Sequence, residues 1–161
     1  MQAVTAINTP NKTNNFYPCD DQWIMTVKPI VASVAMESGT ALGVEVSASS
    51  PTGNLKKMGT TNTGGFNFTA ILIDTISTTD ADYATAGKLK QVRVPRTNTA
   101  VAYFTVWAGT FTLADVGRTA QFHSDSKSVA VDTNGLGVLI TGYISSTRGL
   151  CTFAAPISVT A

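Results

Sequence analysis

The stretch VDTNGLGVLITG, Val131 to Gly142, sets glycines at 135, 137 and 142 around an apolar run. Two readings compete for it. A phosphate-binding loop needs the spacing G-x-x-x-x-G-K-[ST], or a glycine turn that opens a helix so that its amides meet the anion. Neither pattern is present. Gly137 leads instead into VLITGYI, an apolar, β-rich segment that reads as a strand. Asp-Thr-Asn-Gly is turn chemistry, because Asn and Gly accept the positive φ of tight hairpins. The stretch therefore reads as a hairpin turn and the strand it feeds, and it points to β-architecture.

The same grammar extends in both directions. WIMTVKPIVASVAM is apolar and β-branched, broken at Pro29; ALGVEVSA and FNFTAILIDT read as strands. ESGT, SSPTGN and TNTGG read as the turns between them. KLKQVRV and AVAYFTVWAG flank a PRTNT turn, and FTLADVG, RTAQF, KSVAVD, GVLITGYI and LCTFAAPISV read as further short strands. Only Asp80 to Ala86 suggests a helical turn. In AVAYFTVWAG both alternating faces are apolar, Val101, Tyr103 and Trp107 against Ala102, Phe104 and Val106, which predicts burial on both sides. Short strands at this spacing predict an all-β fold, a compact barrel or sandwich over residues 21–161. Residues 1–20, rich in Asn and Thr with Pro10 and Pro18, read as an extended N-terminal arm.

Two segments echo one another. Leu42 to Ile73 and Val116 to Ile144 each run strand, turn, short strand, Thr-Asn-Gly turn, strand, opening on Gly43 and Gly117. A repeated supersecondary unit and convergent hairpin chemistry both account for the echo.

Composition narrows function. The chain has 161 residues, 43% hydrophobic but only 13% charged, with net charge +1. That is about half the usual charged share, and a surface so poor in charge is easily covered by partners. It offers no footprint for nucleic acid. The basic run Lys88, Lys90, Arg93, Arg96 reads either as a guarded strand edge or as a docking patch for an acidic protein surface. No apolar run approaches the roughly 20 residues that span a bilayer, and no secretory signal pattern opens the chain. Cytosolic synthesis then predicts that Cys19 and Cys151 are free thiols, with a bridge between them the alternative.

Catalytic material is sparse. FHSDS places the single histidine, His123, beside Ser124, Asp125 and Ser126, but strand neighbours point to opposite faces and a triad converges from distant positions. Asp74, Asp80 and Asp82 lack calcium-loop spacing. The expectation is a protein with no cofactor, no metal and no enzymatic activity. Trp23, Trp107 and Tyr103 read as core or interface residues, or as a sugar-stacking platform.

The runs VASVAMESGTALGVEVSASSPTGNLKKMG, FTLADVGRTAQF and VAVDTNGLGVLITGYIS resemble the strand-turn-strand grammar of small capsid decoration (cement) proteins of tailed bacteriophages. The resemblance covers residues 28 to 157. It implies a virion surface protein, often a homotrimer, seated on the major capsid protein, with an N-terminal arm that touches the capsid. The family brings no catalytic residues. The expected capsid or subunit contacts are Asn8, Asn11, Asn14, Phe16 and Tyr17 from the arm, Lys88, Lys90, Arg93 and Arg96 from the basic run, and Tyr103 and Trp107. The rival expectation is a glycan- or receptor-binding β-domain of a phage fibre or adhesin.

Overall fold

The computed structural model describes residues 15–59, 66–132 and 137–153. The fold is nearly all β. Strand β1 (Tyr17–Pro18) is followed by β2 (Trp23–Ile30), β3 (Ala41–Ser47), β4 (Ser50–Lys57), β5 (Phe66–Leu72) and β6 (Lys88–Pro95). Then come β7 (Val101–Ala108), β8 (Thr119–Phe122), β9 (Val129–Ala130), β10 (Val138–Ser145) and β11 (Arg148–Thr152). Strands β2-β4-β3-β5-β6 close a barrel. Its interior holds Ile30, Leu42, Leu55, Ala70, Leu72 and Val92, all buried.

The second half repeats this connectivity. Strands β7, β11, β10, β8 and β9 pair in turn, and β9 returns to β7 in parallel, as β4 returns to β2. The registers correspond ladder by ladder. Ile30 opposite Leu55 becomes Val106 opposite Val129; Val44 opposite Leu55 becomes Phe122 opposite Val129. Leu42 opposite Ala70 becomes Ala120 opposite Val138; Leu72 opposite Val92 becomes Ile140 opposite Cys151. Even the entry turns agree: Gly39 N–H bonds Leu72 O and Leu72 N–H bonds Thr40 O, while Gly117 bonds Ile140 and Ile140 bonds Arg118. The chain is thus two five-strand rings of one topology in tandem, the echoed segments lying over β3–β5 and β8–β10. The turn equivalent to Gly117 is Gly39, however, and not Gly43.

The rings share a core. The second ring's interior, Phe104, Phe122, Val129, Val138, Ile140 and Cys151, is continuous with Ala41, Met58 and Ile71 from the wall of the first. Phe68 and Phe153 stack at 3.7 Å across this junction, and Trp23 meets both edge-on. A backbone bond from Ala41 N–H to Ser126 O also crosses it.

Several expectations are corrected. The turn expected at 133–136 lies outside the described residues, and the strands on either side of it are not hairpin partners, since β9 and β10 flank β8 on opposite sides. Turn residues report the need for positive φ, not which strands become neighbours. SSPTGN is mostly strand β4, and the turn is the pair Ala48–Ser49, both at positive φ. Within FTLADVG the segment Leu113–Asp115 is a 3₁₀ turn, held because Asp115 accepts bonds from the Thr112 backbone and hydroxyl. Residues 80–86, expected to hold a helical turn, form successive turns closed by Tyr83 N–H to Asp80 O and Thr85 N–H to Asp82 O. The folded domain begins before residue 21. Phe16 is fully buried against Phe122 and Phe153, and Tyr17 pairs with Tyr103.

Candidate interaction surface

The expected contact residues fall into three groups. Asn8, Asn11 and Asn14 lie outside the described residues. Phe16 and Lys88 are buried and cannot serve as contacts. Lys88 faces into the first barrel opposite Ile30 and donates to the carbonyls of Val31 and Tyr83, both at 2.8 Å. Burial pushes its ammonium below the usual lysine range. Lys90 is tied to Asp82 at 2.9 Å. The basic run is therefore no single patch, because strand alternation sends Lys88 and Lys90 to one face and Arg93 to the other.

The remaining candidates stay at the surface. Arg93 is half-buried and lies over the Tyr17 ring, 5.2 Å from its centroid. Arg96 is exposed. Tyr103 is half-buried, and its phenol is raised above the usual range by a hydrogen bond with Cys19 and by burial. Trp107, read as a core or an interface residue, is 55% exposed in the single chain and so is not a core residue; it stacks on His123 at 4.5 Å.

A face that the motif reading missed lies on β2 and β6. Cross-strand partners share a face, and here Met25 opposes Arg93, Val27 opposes Gln91, and Pro29 opposes Leu89. Met25 is 64% exposed, Val27 51% and Leu89 64%. Its signal was available in WIMTVKPI, where apolar residues occupy both alternating faces while the inward face alone needs them. At the Arg93 end a cleft of about 290 Å³ is lined by Tyr17, Pro18, Asp20, Trp23, Met25 and Arg93. On the second ring Tyr143, 40% exposed, packs on buried Phe111, and Ile144 beside it is also exposed.

The residues of the FHSDS run are not arranged as a triad. In the 123–128 turn, Asp125 accepts from Ser128 Oγ at 2.8 Å and lies 3.6 Å from His123 Nδ1. The acid stands between serine and histidine, whereas a nucleophilic triad needs histidine in that place. No cluster of three metal-ligating side chains occurs among the described residues.

The cysteines are free. Cys151 faces the ring interior, its thiol pushed well up by burial, and Cys19 lies beyond β7 on the far side. Two strand spacings, about 9–10 Å, exceed the roughly 7 Å a disulfide tolerates. No helix among the described residues is long and apolar enough to cross a membrane.

Comparison with known proteins gave no match, whether to family models, to curated proteins or to solved structures.

Proposed function

We propose that this chain is a structural virion protein that seats on the outer surface of a tailed-phage capsid as a homotrimer. It stabilises the expanded lattice by bridging major capsid protein subunits. The observation that carries the reading is a surface of few charges with exposed apolar side chains on both rings, Met25, Val27 and Leu89 on one and Trp107, Tyr143 and Ile144 on the other. Bridging needs two contact faces on one body, and two rings on a common core supply them. The resemblance of the strand grammar to decoration proteins selects the capsid as the partner.

The test mixes purified protein with a panel of expanded tailed-phage capsids. Stoichiometric surface density by electron cryo-microscopy and a raised capsid melting temperature are expected. Absence of surface density on every capsid would overturn the reading.

Trp107 favours a second reading, a glycan-binding β-domain. Its exposed indole lies flat on His123, which orients it as a stacking platform. Retention on a glycan array that is lost in Trp107→Ala would select this reading over the first.

A further inference from the structure

The outer β2–β6 face combines three features. It is apolar and exposed at Met25, Val27 and Leu89. It ends in a guanidinium whose position is set by stacking on Tyr17. And that guanidinium has no acid partner among the described residues. Asp20, which shares its cleft, is already engaged: one oxygen accepts from Gln22 N–H and the other from Val101 N–H. Asp74, near the middle of the face, accepts from Gln91 N–H. Lys28 and Lys90 belong to the opposite face by alternation.

The second ring serves as an internal control. Its corresponding face carries Val101 and Tyr103 on β7 and Leu150 and Arg148 on β11, all half-buried. The position equivalent to Arg93 is Thr152, which is buried. The open apolar strip with a guanidinium at the Arg93 position belongs to the first ring alone; the second ring's guanidinium, Arg148, stands at the position equivalent to Leu89 and is half-buried.

We infer that the outer β2–β6 face docks an extended segment of a partner protein, in which an acidic side chain meets Arg93 and apolar side chains cover Met25, Val27 and Leu89. A carboxylate can take two parallel hydrogen bonds from a guanidinium. Arg93 and Leu89 are four residues apart on one strand, roughly 13 Å. An extended segment therefore places apolar residues two and four positions from its acid. The recognition is the same whether or not the partner is a capsid subunit.

The test immobilises the full chain and selects from a surface-displayed library of short random peptides. Enriched peptides are synthesised and their affinities measured by calorimetry. They are expected to carry Asp or Glu with apolar residues two and four positions away. Arg93→Gln and the double change Met25→Ser with Val27→Ser should each weaken binding by at least about tenfold. Leu113→Ser, an exposed change on the other ring, should leave it unchanged. Because Arg93 also stacks on Tyr17, a second measurement keeps the parent protein and replaces the peptide acid by lysine; binding should vanish. Failure to enrich any peptide, enrichment without an acid, or full affinity for the lysine peptide would each overturn the inference.

Discussion

Gly39 and Gly117 occupy one position in two copies of the same ring, yet their surroundings differ. Both have φ near +90°. A Cβ at Gly117 would meet nothing within 4 Å, whereas at Gly39 it would lie 2.3 Å from Asn15 Cβ. Gly117→Ala should therefore cost only left-handed backbone strain, about 1–2 kcal/mol. Gly39→Ala adds overpacking of roughly 1–3 kcal/mol and should displace the segment that leads to Phe16. Urea midpoints of the two variants check this, with Gly39→Ala the less stable. Asp115 gives a second prediction at this scale. Its bonds to Thr112 and Arg118 hold its carboxyl below the ordinary 3.8 despite desolvation. A depressed acid lends stability that is present above the unfolded value and is lost as pH falls through the folded one. Asp115→Asn should lower stability at neutral pH and flatten the acid limb of a stability-against-pH curve. An unchanged acid limb would show that other carboxylates dominate it.

At the scale of elements, the β3–β4 hairpin is closed by a two-residue turn without its favoured chemistry. Ser47 pairs with Ser50, and Ala48 and Ser49 stand at φ of 49° and 65°. Such a turn prefers Asn-Gly. Ala48→Asn with Ser49→Gly should stabilise the protein by about 0.5–2 kcal/mol, read as a raised melting temperature. The same hairpin shows where the sequence misleads. Pro51 and Gly53 mark a turn by composition, yet they lie in the exposed outer half of β4. Leu113–Asp115 misleads the other way, since the Thr112–Asp115 cap outweighs an apolar, strand-like pattern. Strands rich in apolar, β-branched and aromatic residues between turn signals, such as β7 and β10, were legible because such side chains suit a pleated, buried surface. Pairing partners were not, because any strand with the right period satisfies the pattern. The β2–β6 face was partly legible: apolar residues beyond the needs of one core mark a second covered side, but only the register opposes Met25 to Arg93.

At the scale of the molecule, the tandem rings are two copies of one topology with a single continuous core between them. The echo in the sequence lay over three of the five strands per ring. The closing strands escaped it because their residues diverge: Val92 in one ring is Cys151 in the other, and Arg93 is Thr152. Packing across the junction makes the rings interdependent, since Trp23, Phe68 and Phe153 form one aromatic group drawn from both. Unfolding should then be one cooperative transition, with tryptophan fluorescence and far-ultraviolet dichroism coincident in urea. The N-terminal segment tests where this unit begins. Phe16 is wholly buried, and Phe16 N–H bonds Gly39 O while Cys19 N–H bonds Val101 O, so residues 16–19 touch both rings. A chain lacking residues 1–14 but keeping Phe16 is the reference. Deleting 1–20 should cost about as much as a buried phenylalanine truncation or more, at least 3–5 kcal/mol, and Phe16→Ala alone should account for much of that loss. Equal urea midpoints for the two deletions would place residues 15–20 outside the cooperative unit. A split transition in Phe16→Ala would mean that this ring, rather than the aromatic group at Trp23, is what couples the two halves.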